Sequence, residues 1–333
     1  GPTRLRLAGE SFAGSPTGGP QLEAGACIRI FTGAPMPAGA DRVVMQEVVR
    51  REGDAVLFAE PPSPARHVRA AGSDFAAGEA LLESGTRLTP QALVAAAAAD
   101  RDRVEVFIRP RVAVLSTGDE LVAPGLAASA PGTIPESVSF GVAALVRAWG
   151  GEVVSRQRLR DDLPSLAQAA AAALEGADVV VVTGGASVGE RDYSKAMFQD
   201  LGLRLEFEKV AIKPGKPIWV GRAGDRIVVG LPGNPSAAMV TARLFLAPIL
   251  VGLGGRRPEE AWAWRTAPLV SPLGACGDRE CFHRGRSTVD GVRPVGNQDS
   301  SAQKDLATAD LLIRRRPAAR AGAAGELVEV LAF

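Results

Sequence analysis

Two patterns of apolar residues divide the chain. Between about residues 111 and 251, runs of β-branched residues such as the four valines at 179–182 alternate with segments whose apolar positions recur at helical spacing. This alternation predicts strand–helix units, and therefore a mostly parallel sheet with helices on both faces. We expect strands at 112–115, 151–154, 178–183 and 227–231, and helices at 138–149, 163–174, 193–201 and 236–251.

The flanking segments have shorter apolar alternations, broken by glycine and proline. Residues 1–77 predict a β-rich unit and residues 258–333 a small all-β domain. A linker at 78–109 joins the first unit to the α/β domain at 110–257, and it contains one predicted helix with Thr89 as N-cap and Pro90 as first residue. The predicted fold class is a multidomain α/β protein with a central, doubly wound, mostly parallel sheet.

The composition limits the classes of partner and the cellular compartment that we expect. Apolar residues make up 46% of the chain and the formal net charge is +1, which argues against a general nucleic-acid binder. We find neither an apolar run near the ~18 residues of a membrane span nor a signal peptide. Three cysteines do not make a disulfide framework. We therefore expect a cytoplasmic protein with neither nucleic acid nor membrane as partner.

Two further clusters suggest less at this stage. Cys276, Cys281 and His283 resemble metal ligands, but a fourth ligand and a standard spacing are missing, so we expect ordinary loop or strand positions there rather than zinc. The arginines at 314–316 stand beside Pro317 and predict a solvated patch on a turn.

Polar residues follow every predicted strand of the α/β domain, and ligands of open parallel sheets bind beyond the carboxyl ends of strands. The four strand ends deliver Ser116 to Glu120, Arg160 to Asp162, Gly184 to Asp192, and Pro232 to Pro235. Each carboxylate also has an ordinary interpretation. Asp161, Asp162 and Asp192 could cap helices, and Asp119 could serve a turn. Their convergence on one edge favours a site.

Glycines and lysines make that site one for an anion. Gly184 and Gly185 let the backbone approach a ligand closely, although the segment matches neither a Walker A loop nor G-x-G-x-x-G and an ordinary turn stays open. Lys209, Lys213 and Lys216 fall within eight residues, while only Lys195 and Lys304 lie elsewhere. Lysines beside carboxylates suggest a phosphate-bearing ligand with a divalent metal, which we expect to be Mg²⁺.

At this point the motifs resemble a known family, the molybdopterin molybdenumtransferases, which include MoeA and the gephyrin E domain. The resemblance rests on IRIFTGAPMPAGAD at 28–41 with VVMQE at 43–47, STGDEL at 116–121, GGASVG at 184–189, KPGKP at 213–217 and LPGNP at 231–235. These motifs occur in the family's order and span nearly the whole chain.

The resemblance implies a reaction and an assembly. Molybdate is inserted into adenylylated molybdopterin in the final step of molybdenum cofactor synthesis, with release of AMP and with Mg²⁺ present. The family forms a homodimer whose active site lies between the molybdopterin-binding α/β domain of one subunit and the β-rich domain of the other. A molybdopterin adenylyltransferase is an implied partner.

The resemblance also implies the site residues. Asp161 and Asp192 would hold the metal, Lys209 and Lys213 would neutralise phosphate or molybdate oxygens, and Glu120 would orient the substrate or accept a proton. The residues expected to bind the substrate are Thr32, Asp74, Thr117, Gly118, Asp119, Gly184, Gly185, Ser187, Gly189, Lys216, Pro232, Gly233, Asn234 and Pro235.

Three departures from the family pattern bear on activity. The chain begins after the family's upstream segment, so we expect a truncated form, and whether that form is active stays open. Val138 replaces an asparagine, which removes an amide near the rim. The element at 69–74 ends in Asp74 but has Ala71 where further arginines are often found.

Two rival functions follow from the same residues. A molybdopterin adenylyltransferase shares the α/β domain, but that enzyme is a single such domain and lacks counterparts of 1–77 and 258–333. A scaffold or binding protein could keep the fold without the chemistry, as the departures at Val138 and Ala71 would allow. Consumption of adenylylated molybdopterin would favour the molybdenumtransferase over the adenylyltransferase. Measured affinity for molybdate and the adenylylated pterin would separate it from a scaffold.

Overall fold

The computed structural model describes residues 2–16, 21–184 and 193–333 and divides the chain into two compact units, Gly1–Leu81 and Leu82–Phe333. The first unit is a four-stranded sheet in the order β2-β1-β4-β3. Its strands are β1 (Thr3–Ser11), β2 (Ala26–Ile30), β3 (Val49–Glu52) and β4 (Ala55–Phe58). The hairpin between β3 and β4 turns at Gly53, whose φ of +61° favours glycine. The limits of the four predicted segments stay a prediction.

The second unit begins with helix α1 (Pro90–Ala98), where Thr89 caps the helix by accepting a hydrogen bond from the Ala92 N–H, as expected. The α/β region follows with β5 (Arg111–Thr117), β6 (Leu121–Val122), β7 (Ile134–Pro135), α2 (Val138–Ala148), β8 (Glu152–Leu159), α3 (Leu163–Gly176), β9 (Val179–Thr183), α4 (Tyr193–Ala196), β10 (Leu203–Glu208), β11 (Ile212–Lys213), β12 (Trp219–Ala223), β13 (Arg226–Leu231), α5 (Pro235–Thr241) and α6 (Ala247–Leu253).

Six of these strands form the central sheet, in the order β10-β12-β13-β9-β5-β8. Strands β13, β9, β5 and β8 are parallel, and β12 is antiparallel to both neighbours. Alternate residues of β5 enter two separate cores. Val112 and Val114 pack with α2, α5 and α6, whereas Ala113 and Leu115 pack with α3. Helices therefore cover both faces, and the predicted doubly wound α/β class is confirmed.

The sheet differs from the prediction between residues 193 and 223. The expected helix 193–201 is broken into α4 and a 3₁₀ turn at Gln199–Leu201, because Phe198 is drawn into the core and Gly202, at φ +74°, turns the chain into β10. Strands β10 and β12 had no counterpart in the prediction. β10 is mostly exposed, so it lacks the continuous apolar run of a strand buried on both faces.

The segment Pro235–Leu253 runs as one apolar helical stretch of 19 residues, long and apolar enough to cross a membrane, contrary to our expectation. However, 72% of it is buried inside the protein, as in a core helix. A π-helical turn at Ala242–Leu246 joins α5 to α6. Pro248 has no N–H to give the Leu244 carbonyl, and Trp262 Nε1 donates to that oxygen at 2.9 Å instead.

The C-terminal domain is a sheet in the order β11-β15-β17-β18-β14, with β16 paired to β15. Its elements are β14 (Arg265–Pro268), β15 (Glu280–Thr288), β16 (Gly291–Pro294), α7 (Gln303–Leu306), β17 (Leu311–Arg315) and β18 (Leu327–Ala332). The predicted solvated patch at 314–316 is wrong. Arg314 and Arg315 belong to β17, and Arg315 is buried against Glu326 at 2.6 Å; Arg316 is exposed.

Candidate functional site

One row of paired residues crosses all six strands of the central sheet. It consists of Glu208, Trp219, Gly230, Val182, Leu115 and Gln157, in β10, β12, β13, β9, β5 and β8 respectively. Every strand except β12 runs in the same direction and ends within a few residues of this row. The loops after these strands therefore emerge at one edge of the sheet, which we call the rim: 117–121, 160–162, 184, 209 and 232–235.

The ends of β5 and β8 are joined by hydrogen bonds at the rim. The Gly118 N–H donates to the Leu159 carbonyl at 3.2 Å. Asp119 Oδ1 accepts from Arg160 Nε at 3.2 Å and from the backbone N–H of Asp161 at 3.4 Å. The predicted site residues Asp119 and Asp161 are thus brought together. Arg160, which the sequence did not single out, lies between them.

The two neighbouring carboxylates of the β8 loop have different roles. Asp162 is the N-cap of α3 and accepts from the Ser165 N–H at 3.1 Å. The Ser165 side-chain and backbone hydrogen bonds lower the pKa of Asp162. Capping is therefore performed by Asp162, which leaves the helix-cap alternative unnecessary for Asp161.

Close backbone contacts form the floor of the rim. Gly184 has φ +93°, and a Cβ there would lie 2.3 Å from the Thr117 carbonyl oxygen. A Cβ on Gly233 would lie 3.4 Å from the Gly184 Cα. Thr117 Oγ1 is buried and has no hydrogen-bond partner among the described residues. The glycines that follow β9 and β13 thus bring two loops against the end of β5, beside an unsatisfied hydroxyl.

Glu120 lies over the backbone of Gly118. A Cβ on Gly118 would be 2.5 Å from Glu120 Oε2, so the carboxylate uses space that only a glycine leaves. The Glu120 carbonyl accepts from the Ile134 N–H at 2.8 Å, next to the short β6–β7 pair. The backbone of Glu120 is therefore held from one side, while the residue stays exposed at the rim.

A buried polar network supports the rim from below. Glu136 accepts from the Ser139 N–H at 2.8 Å and from Ser139 Oγ at 2.6 Å. Ser116 Oγ donates to Glu136 Oε1 at 3.3 Å and accepts from Thr183 Oγ1 at 3.0 Å. We assigned Glu136 no role from the sequence, although it stands in the 136–138 segment that departs from the family pattern. The network links the ends of β5 and β9 to the start of α2.

Val138 does not lie open to a ligand. It is the first residue of α2, is 9% exposed and packs in the apolar core with Val142. That the loss of an amide here removes a ligand contact near the rim stays a prediction. The local polar work is done by Glu136, and Val138 contributes to packing instead.

The lysine loop, 209–217, leaves the rim after β10, pairs with the C-terminal sheet at its middle and returns to the rim before β12. The Lys209 N–H donates to Ile218 O at 3.0 Å, and the Val210 N–H donates to Lys216 O at 3.0 Å, which closes the loop. Lys213 lies in β11 and pairs in register with Cys281 of β15. All three lysines are exposed. Lys209 and Lys216 thus lie at the base of the loop beside the rim, whereas Lys213 lies against the C-terminal sheet.

A carboxylate next to this loop is already paired. Glu208 immediately precedes Lys209, and its Oε2 accepts a hydrogen bond from Lys195 Nζ at 2.7 Å. That hydrogen bond, followed by the charge of Lys195, lowers the pKa of Glu208. Glu208 is therefore held as an anion by Lys195 and lies at the rim end of β10.

The loop after β13 is fixed to the C-terminal domain. Asn234 Nδ2 donates to Ser300 Oγ at 3.0 Å, and the Ser236 N–H donates to Ser300 O at 2.9 Å. Pro232 is buried, while Gly233 and Asn234 are exposed. The conformation of this predicted binding loop therefore depends on residues near 300, which no local signal in the sequence had indicated.

For the remaining predicted residues, a place at the rim stays a prediction. Thr32 and Asp74 are exposed and belong to the N-terminal unit, so their approach to the rim stays a prediction. The other predicted residues lie outside the described part of the chain: Gly185, Ser187, Gly189 and Asp192.

Comparison with known families accounts for most of the chain. Residues 4–99 match the MoeA N-terminal region (domains I and II), residues 113–251 match a probable molybdopterin-binding domain, and residues 266–333 match the MoeA C-terminal region (domain IV).

Individual relatives agree with this assignment. A molybdopterin molybdenumtransferase from Nostoc sp. is 39% identical over 70% of this chain and 54% of its own length. The protein of that name from Haemophilus influenzae is 37% identical over 81% of this chain and 65% of its own length. The one from Synechococcus elongatus is 33% identical over 90% of this chain and 74% of its own length. The chain thus spans less than two thirds of the length of the first two.

Solved structures show the same fold. Two structures of the molybdopterin biosynthesis MoeA protein from Pyrococcus horikoshii each cover 100% of this chain and 82% of their own. One has a TM-score of 0.81 at 31% identity, and the other has a TM-score of 0.86 at 25% identity. With its motifs, its domain matches and these relatives, the chain belongs to the molybdopterin molybdenumtransferase (MoeA) family.

Proposed function

We propose that this chain inserts molybdate into adenylylated molybdopterin and releases AMP. The observation that carries the proposal is the contact set at the rim, where Asp119, Arg160 and Asp161 meet at the end of β5 and β8. Family membership supplies the reaction, and the rim supplies a place for an anionic pterin nucleotide beyond the carboxyl ends of parallel strands.

The phosphates of the substrate would lie over the glycine floor. Gly184 and Gly233 bring the loops after β9 and β13 against the end of β5, where Thr117 Oγ1 is a buried hydroxyl with no partner within the described residues. Gly118, Gly185, Ser187 and Gly189 are proposed to complete this surface. Lys209, Lys213 and Lys216 would bring positive charge to phosphate or molybdate oxygens, because a lysine acts as a compact point charge.

Phosphoanhydride cleavage needs a nucleophile, a proton acceptor and charge stabilisation. Water attacks the adenylyl phosphorus, the bond from that phosphorus to the bridging oxygen breaks, and the bridging oxygen stays with the molybdopterin phosphate. Glu120, exposed at the rim, is proposed to accept the proton of the attacking water. Stabilisation of negative charge by the lysine loop is the largest expected contribution to the rate.

The donor chemistry of the rim fits a hard divalent cation. The backbone N–H of Asp161 donates to Asp119 Oδ1, so these two carboxyl-bearing residues are neighbours at the rim, and carboxylate oxygens are ligands that Mg²⁺ prefers. Asp161 and Asp192 are the proposed ligands. When bound, Mg²⁺ would offset the charge of the phosphate oxygens.

The assembly and location are proposed on the same basis. We expect a homodimer, in which Thr32 and Asp74 of one subunit approach the rim of the other together with Pro232 and Pro235. We also expect a cytoplasmic protein that receives its substrate from a molybdopterin adenylyltransferase. Light scattering of the purified chain measures the first of these, since a monomer at micromolar concentration would contradict it.

An AMP-release assay tests the proposal. The chain is incubated with molybdate, Mg²⁺ and adenylylated molybdopterin, and Asp161→Asn should lower the rate about 100-fold or more. Asp225→Asn is the matched control, because Asp225 lies in the β12–β13 turn at the opposite end of the sheet. Equal rates for the two variants would contradict the proposal. Consumption of ATP with molybdopterin, in place of AMP release, would indicate an adenylyltransferase.

A further inference from the structure

Three ligand-bearing side chains meet in the C-terminal domain, away from the Asp119–Asp161 contacts. They are Cys276, Cys281 and His283, and their sulfur and imidazole nitrogen atoms all lie within 4.8 Å of one another. The sequence separates them by a non-standard spacing, which led us to expect ordinary loop and strand positions. Folding nevertheless brings them together.

Backbone pairing explains how the three residues come to one point. Cys281 and His283 are two residues apart on β15, so their side chains lie on the same face of the sheet. Cys276 comes from the preceding loop, and its N–H donates to the Ala319 carbonyl at 2.9 Å. The Ala318 N–H donates to the Gly277 carbonyl at 2.7 Å. The loop is thus held by two hydrogen bonds.

The geometry is close to that of a tetrahedral zinc site. With Zn–S about 2.3 Å and Zn–N about 2.0 Å, ligand atoms of such a site lie about 3.5–3.8 Å apart. Ligand atoms up to 4.8 Å apart would therefore have to close by about 1.0–1.3 Å at most, which small side-chain rotations provide.

One polar atom of the cluster is left unsatisfied by the protein itself. His283 Nε2 is buried and lacks a hydrogen-bond partner within residues 2–16, 21–184 and 193–333. Cys281 Sγ, by contrast, donates to the Arg279 carbonyl at 3.6 Å. A buried ring nitrogen without a partner calls for an explanation, and a bound metal ion would supply one.

We propose that Cys276, Cys281 and His283 bind one Zn²⁺ ion, with a water molecule as fourth ligand. Two sulfurs and one imidazole nitrogen are a borderline-soft donor set, which suits zinc and does not suit magnesium. Binding releases the two thiol protons to solvent. Three protein ligands and one exchangeable ligand are the arrangement of an open zinc site.

The charge of the surroundings agrees with this ion and ligand set. Lys213 and Arg315 are both register partners of Cys281, so positive charge already flanks the cluster. A zinc ion with two thiolates and a neutral imidazole carries no net charge, whereas a cation bound by neutral groups alone would be repelled. The proposal does not rest on the proposed molybdenum chemistry.

Metal titration of the full-length chain, made without a histidine tag and kept reduced, tests the site. We expect one Zn²⁺ per chain by elemental analysis. Co²⁺, used as a spectroscopic probe, should give the absorption of a tetrahedral ion with thiolate ligands. Cys276→Ser and His283→Gln should weaken Zn²⁺ binding more than about 100-fold, beyond the 10- to 100-fold loss typical of outer-shell partners.

Cys27→Ser is the matched control, because Cys27 is a free cysteine of the N-terminal unit. It should retain full Zn²⁺ binding. Binding that survives Cys276→Ser, or that Cys27→Ser lowers equally, would overturn the proposal. So would a Co²⁺ spectrum without thiolate bands in the wild-type chain, a result that requires no variant to fold. A Cys276–Cys281 disulfide whose reduction restores no Zn²⁺ binding would also overturn it.

Discussion

The lysine loop and the C-terminal domain both concentrate positive charge, but they expose it to different degrees. Lys209, Lys213 and Lys216 are exposed, whereas Arg284 and Arg315 are buried. An exposed ammonium keeps its hydration until a ligand arrives, and a buried guanidinium has lost its hydration on folding. The first arrangement suits binding, and the second can only be structural if partners within the protein replace the water.

The buried arginines have such partners for most of their nitrogens, while one nitrogen of each has none within the described residues: Arg243 Nη1, Arg284 Nε and Arg315 Nε. Arg284 Nη1 and Nη2 donate to the carbonyls of Asp299 and Asn297, each at 2.9 Å. Arg243 Nε and Nη2 donate to the carbonyls of Ala332 and Ala261 at 2.7 and 2.8 Å. Burial lowers the pKa of Arg243 to about 10, so it stays protonated at neutral pH. Buried guanidinium groups here tie distant backbone segments together.

A buried arginine also supports the candidate site. Arg284 fixes the 297–299 segment, and the next residue, Ser300, accepts hydrogen bonds from Asn234 and Ser236 at the rim. Positive side chains therefore have two different roles in this proposal. Exposed lysines would contact the substrate, and buried arginines would hold the loops against which it lies.

Arg284→Met is the variant with the largest expected effect. It removes the charged donor of the Asn297 and Asp299 carbonyls and loosens the 297–300 segment. Hydrogen bonds to a charged group contribute about 1.5–3 kcal/mol each, so we expect the free energy of unfolding to fall by roughly 3 kcal/mol. Thermal unfolding followed by circular dichroism measures this loss. A melting temperature within about 1 °C of wild type would contradict a structural role for this buried charge.

The fold was predictable where burial is continuous along the chain. Strands β5, β9 and β13 and helices α2 and α3 follow from apolar runs and helical spacing that need no knowledge of partners. The loops at strand ends, including Asp119, Glu120 and Asp161, were predictable for the same reason, since a parallel sheet brings its carboxyl ends to one edge.

What failed depends on contacts between residues far apart in sequence. Arg315 is buried because Glu326 and the Arg320 carbonyl face it, which its charge alone cannot indicate. Strand β10 is mostly exposed and exists through its pairing with β12. The Cys276–His283 cluster depends on the pairing of a loop with residues 318–319. In each case the missing information was the partner.

Lys209→Ala tests the exposed side of the comparison. We expect kcat/KM for AMP release to fall about 100- to 1000-fold, since one preorganised charge at the reacting group is lost, while the melting temperature stays unchanged. Arg204→Ala is the control, because it removes a positive charge near the opposite end of the same strand, β10. A parallel fall in melting temperature would show that Lys209 is structural.

Arg316→Met should have the least effect on stability, and it contrasts an exposed arginine with its buried neighbour Arg315. Arg316 Nη2 lies 3.3 Å from Glu329 Oε2, and its side chain is 72% exposed. Exposed ion pairs contribute about 0–1 kcal/mol, so the free energy of unfolding should change by less than about 0.5 kcal/mol. Arg315→Met, one residue earlier and buried, should cost several times more, because it strips Glu326 and the Arg320 carbonyl of their donor. Chemical denaturation of the two variants measures the difference, and equal losses would mean that burial does not decide how this sheet uses its charge.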